Sequence, residues 1–173
     1  MGRLILTDFK CVAETSEIGS DSPYFVFFVG KGRDPDAAKL VTIRQPQWDE
    51  DVNKGNVFHP NAVVGSVDDD ALILCALMEE DLDTDITTGS GAFRKVRDHM
   101  RSVFTAHAAD ASLSVAQLAE QLIPEFQREI DAHRTNDDLV DVIHVPAGAD
   151  LAQQGPFSME GHGGRYLVWF AIE

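Results

Sequence analysis

Sulfur, positive charge and long apolar runs are all scarce in this chain. Its 173 residues include two cysteines, Cys11 and Cys75, too few for a disulfide scaffold. Both stand in strand-like apolar runs, where a free thiol packs as a small hydrophobe. No stretch approaches the roughly 18 apolar residues of a membrane span. Met1 to Phe9 has neither the apolar h-region nor the small-residue cleavage site of a signal peptide. The chain therefore reads as soluble and cytoplasmic, unless an unrecognised export route carries it.

Paired cysteines and an HExxH stretch are also missing, and the six histidines are scattered without metal-ligand spacing, which argues against zinc and copper. No GxSxG elbow or cysteine-nucleophile signature accompanies His162, so the GHGG around it reads as a turn. Lysine and arginine together number 14 against 29 acidic residues, a formal net charge of -15. Such a chain repels nucleic acid and anionic membranes unless cations intervene. Divalent cations are the obvious mediators.

What is present is an ordinary globular balance, 44% hydrophobic and 25% charged, in a length that suits one domain over residues 1–173. Residues 3–13 place Ile5, Phe9 and Cys11 at period two, the pattern of a half-buried strand. YFVFFVG reads as a central strand, and KLVTIR follows a hairpin-type connection. A strand from Asn56 to Val67 is interrupted by Pro60, which favours an edge or a bulge. ALILCALM is the strongest strand-like run. DLVDVIHVP and RYLVWFAIE supply two more, separated by a Gly- and Pro-rich connection from Pro146 to Gly164. In the last strand Tyr166, Val168, Phe170 and Ile172 share one face, and Trp48 and Trp169 read as core or loop anchors.

Between ALILCALM and DLVDVIHVP the period changes. Phe93, Val96, Met100, Val103, Phe104 and His107 make one helical stripe that Ser90 can cap. Val115, Leu118, Leu122, Phe126 and Ile130 make a second, opened by the capping-box spacing of Ser114 and Gln117. Pro124 is expected to kink that helix or loosen its middle turn. The fold class is thus mainly β, an antiparallel β-sandwich with a helical hairpin inserted at about 90–134.

Acidic residues cluster where strands begin and end. Glu14, Glu17 and Asp21 follow the first strand. Glu79, Glu80, Asp81, Asp83 and Asp85 follow ALILCALM, and Asp137 and Asp138 precede LVDVIHV. Calcium takes six to eight oxygen ligands, more than any one of these loops holds, so it favours a site where several converge. Oxygen-only coordination puts calcium first, with magnesium or manganese second.

GSDSPYFVFFVG resembles the first calcium-loop signature of C2 domains, in which an aspartate, a proline and a tyrosine lead into an apolar strand. LILCALMEED resembles the strand entering their last calcium loop, and NDDLVDVIHVP resembles the way that loop ends. Ser22 separates Asp21 from Pro23, and Asp141 stands where the family prefers glycine. The resemblance implies metal ligation by Asp21, by Glu79 and Asp81 (or Asp81 and Asp83), by Asp137 or Asp138, and by Glu14 or Glu17 upstream. It also implies that the helical hairpin sits inside the last calcium loop. A metal tying Asp81 to Asp138 would then control how the hairpin is presented.

These signals lead to a non-enzymatic calcium-binding module that engages a protein partner or an anionic lipid surface. Arg94, Lys95, Arg97 and Arg101, a basic stretch on the first helix, are the candidate partner contacts. TTGSGAFRK lacks the spacing of a phosphate-binding loop and reads as a loop and a cap. Two rivals stand beside the calcium module: a magnesium- or manganese-dependent hydrolase using the same carboxylates, and a metal-free interaction domain.

Overall fold

The computed structural model describes residues 1–15, 22–31, 34–44, 52–80, 86–148 and 151–173. Among them, strands form two antiparallel sheets. One has the order β3 (Asp34–Ile43), β2 (Pro23–Lys31), β6 (Leu72–Glu79), β7 (Asp138–His144). In the other, β1 (Gly2–Ala13) pairs on one side with β9 (Gly164–Ile172), which pairs in turn with β8 (Phe157–Gly161). Its opposite side pairs with β4 (Val57–Phe58) and β5 (Ala62–Val67). Helices α1 (Gly91–Ala108) and α2 (Val115–His133) lie between β6 and β7 in chain order, and α3 (Leu151–Gln154) precedes β8.

The unbroken apolar character of β2 and β6 has a direct cause: both faces of their sheet are covered. Phe25, Phe27, Val29, Ile73, Cys75 and Leu77 join Leu4, Phe9, Tyr166, Val168 and Phe170 in the core between the sheets. The alternate residues Tyr24, Val26, Phe28, Leu74, Ala76 and Met78 form a second core with the helical stripes of Phe93, Val96, Met100 and Phe104 and of Leu118, Leu122, Phe126 and Ile130. Strand alternation splits the two sets, and the helices supply a third layer. Phe28 meets Phe104 edge-on at 5.8 Å between ring centroids and lies 6.4 Å from Phe126. Gly30 lets this happen, since a Cβ there would sit 2.7 Å from the Phe104 ring.

Both helices begin as their sequence implies. Ser90 accepts the Phe93 amide, and Ser114 and Gln117 form a reciprocal capping box. Pro124 lies within a continuous α2. The stripes of the two helices are buried on the sheet, and this packing holds the pair in place.

Two features of the strands differ from the sequence pattern. Phe9 and Cys11 share the inter-sheet core with Leu4 and Leu6, not with Ile5. The register of β1 against β9 shifts between Leu6 and Asp8, and one extra residue at a bulge reverses the side-chain parity. Secondly, the connection from Pro146 to Gly164 contains strand β8. Of its residues only Met159 is fully buried, so its alternation is too short to stand out in sequence. Around Pro60 the expected interruption falls between β4 and β5, with Asn61 at φ 47°.

Candidate metal site and the ion pairs beside it

Strand register gathers the described acidic segments at one end of the sandwich. Pro23 pairs with Glu79, and Glu79 with Asp138, so the start of β2, the end of β6 and the start of β7 are side by side. In the facing sheet Ala13 pairs with Arg165 and Gly161 with Gly164, which puts the end of β1 beside the β8–β9 turn. That turn holds His162 at φ 50° and Gly163 at φ 84°, the left-handed geometry of a tight hairpin. His162 reaches across to β7, with Nδ1 3.3 Å from Asp138 Oδ2.

Glu79 and Asp137 are the buried carboxylates here, 4% and 0% exposed. The Ser22 amide donates to Glu79 Oε1 at 3.2 Å, and the Glu80 amide donates back to the Ser22 carbonyl at 3.1 Å. Tyr24 donates its hydroxyl to Asp137 Oδ2 at 2.5 Å. The tyrosine that leads out of the first acidic loop is thereby tied to the acid that ends the last one, 113 residues later. Arg44 pairs with Glu80 at 2.7 Å.

Asp138 is engaged differently. Arg134, the C-cap of α2, places Nη1 2.6 Å from Asp138 Oδ1 and 2.7 Å from the Asp137 carbonyl, and its Nε 2.7 Å from Asp131. Burial opposes the Arg134 charge, but its hydrogen bonds to Asp131 and Asp138 outweigh that and hold its pKa above the ordinary value. Asp138 thus joins three layers: the end of α2, the start of β7 and the hairpin of the facing sheet.

One step along β7, Asp141 accepts the Glu160 amide at 3.1 Å and the Val142 amide at 2.8 Å. Burial raises its pKa despite those donors. Burial, with Asp141 adding to it, also pushes the Cys75 thiol well up, and burial lowers His144.

The sequence-derived ligand set is therefore brought together in part. Glu79 and Asp138 are brought together by strand pairing, while Asp137, just before β7, meets the Tyr24 hydroxyl. Glu14 is half-buried and accepts the Lys54 amide at 2.6 Å. Glu17, Asp21, Asp81 and Asp83 lie outside the described residues, as do Asp85 and Trp48. Among the described residues no group of three or more His, Cys, Asp or Glu side chains is placed to hold a metal ion. The described carboxylates alone do not make an oxygen cage for calcium, which needs six to eight donors. Glu79 and Asp137 accept from Ser22 and Tyr24, and Asp138 faces Arg134 and His162.

Arg134 belongs to no motif in the sequence; His162 reads there as part of a turn, as found, and Tyr24 only as part of a loop signature. The spacing of Asp131, Arg134 and Asp138 at three and four residues is the one local signal that marks Arg134. The tyrosine and histidine contacts are long-range and leave no trace in spacing.

The basic residues of α1 make separate contacts. Arg101 donates twice to the Ala38 carbonyl of β3, at 2.9 and 2.7 Å. Arg97 pairs with Asp98 at 2.8 Å and Arg94 donates to the Gly89 carbonyl at 2.6 Å, while Lys95 is exposed. No described helix is long and apolar enough to cross a membrane.

No family model matches the chain, and no curated protein sequence matches it.

Proposed function

We propose that this chain is a non-enzymatic calcium-binding module, a C2-like β-sandwich that engages a protein partner or anionic lipid surface when its acidic end is loaded. One observation carries the reading. The strands that bear the three acidic segments are neighbours in one sheet, with Glu79 and Asp137 buried at their shared end. Buried carboxylates in a chain of net charge -15 favour a cation nearby. Glu79 and Asp137 would be the ligands from the described strands, completed by acids of the segments 16–21 and 81–85. Asp138, held by Arg134, instead fixes the start of β7. Magnesium or manganese is the second choice of ion.

A metal-free interaction domain is the reading that the Arg134–Asp138–His162 contacts favour, because there the protein supplies its own counter-charge. Calorimetric titration with calcium, using magnesium as competitor, separates the two. Saturable binding with a rise in melting temperature is expected, worth about 2.7 kcal/mol at a hundredfold excess over Kd. No heat and no shift at millimolar calcium would end the calcium reading.

A further inference from the structure

At the end of the sandwich opposite the Glu79–Asp138 pairing, where the Asp68–Asp70 turn leads into β6, the seam between the sheets stays open. The edge strands β3 and β5 face each other there without pairing, and a cleft of about 300 Å³ lies between them. The volume is at the small end of ligand pockets. Val29, Val41, Val64 and Ala37 make its apolar lining, with Val29 and Val64 each 5% exposed. Lys31 and Lys39 stand at its rim.

The charge arrangement is particular in so acidic a chain. Lys39 lies directly opposite Val29 in the β2–β3 pairing, and alternation along β3 puts it on the same face as Val41 and Ala37. It has no ion pair among the described residues. Lys31 is shared with Asp68 at 3.5 Å and touches the Met1 sulfur at 3.9 Å. Asp34, opposite Lys31, accepts the Asp36 amide at 3.0 Å. An apolar slot capped by an unpaired ammonium suits a ligand with an alkyl body and one negative head.

We infer that this cleft binds a small amphipathic anion, a medium-chain alkyl carboxylate. Its alkyl chain lies against Val29, Val41 and Val64 and its carboxylate meets Lys39. This site is independent of the calcium reading. It lies at the far end of β2, whose nine residues span roughly 25–30 Å at about 3.3 Å each.

The test uses the full chain and decanoate below its micelle concentration. Titration is followed by the methyl resonances of Val29, Val41 and Val64 and by calorimetry, with decyltrimethylammonium and decanol as probes of wrong and absent charge. Expected are one-site binding of decanoate with shifts confined to those methyls, and binding weakened roughly tenfold or more by Lys39→Glu. Lys39→Arg should restore it. Lys39 is exposed, so these variants leave the core alone. No binding at millimolar decanoate, equal binding of the cationic or neutral probe, or indifference to Lys39→Glu would each overturn the inference. Failure of the calcium titration would leave it standing.

Discussion

The contact between Gly30 and Phe104 offers a sharp test of the helical layer. Phe104 is fully buried, edge-on to Phe28, and its ring occupies the space where an alanine Cβ at position 30 would go, 2.7 Å from Cζ and 2.8 Å from Cε2. Phe104→Ala deletes a buried ring and should cost about 3–5 kcal/mol. Gly30→Ala instead forces the ring or the helix outward and should cost about 1–3 kcal/mol as overpacking. In the double variant the ring that the new methyl strikes is gone, and the methyl fills part of the hole. The double should therefore cost less than the sum of the singles by about 1–3 kcal/mol. Urea unfolding followed by circular dichroism on all four proteins measures the cycle. For a chain of this size each kcal/mol moves the melting temperature by about 2–4 °C, so Phe104→Ala should lower it by roughly 6–20 °C. The cycle should give the same coupling with and without calcium, because the helices are held by the sheet. Costs that add within about 0.5 kcal/mol would show that α1 does not press on Gly30 and would refute the three-layer packing.

Tyr24→Phe removes the hydroxyl from Asp137 and should cost about 1.5–3 kcal/mol in metal-free protein; a loss below 0.5 kcal/mol, roughly the scale of a neutral surface change, would deny the contact any weight. Asp137→Asn should weaken calcium binding more than Asp138→Asn does, since Arg134 and His162 already face Asp138; calorimetry giving the reverse order would place the ion on Asp138. Burial lowers the pKa of His144 in the folded protein, so as pH falls below the ordinary histidine value of about 6.5 the unfolded chain takes the proton first and stability drops. His144→Gln should flatten that loss between about pH 7 and the lowered native value, read as urea midpoints across pH.

Much of the scaffold is legible along the chain. The period-two runs of β1 and β9 and the two helical stripes report which side chains need cover. Ser90 and the Ser114–Gln117 pair mark where the helices begin, because capping is a local hydrogen bond. The unbroken apolar runs of β2 and β6 announce strands buried on both faces, although not what covers the second face. The acidic clusters at strand ends show which residues carry charge beside one another in the chain.

Tertiary structure decided the rest, for reasons of range and parity. Only pairing of β2, β6 and β7 puts Glu79 beside Asp138 and delivers the Tyr24 hydroxyl to Asp137, contacts between residues too far apart in sequence for spacing to encode. A single bulge in β1 moved Leu4 and Leu6 onto the face of Phe9 and Cys11, since one added residue inverts every side chain beyond it. The helices, which sequence alone left as an appendage to a loop, became a layer because the even-numbered side chains of β2 and β6 needed an apolar partner. The carboxylate of Asp138 met Arg134 and His162 only across that assembly, because an unpaired charge away from water is too costly to leave.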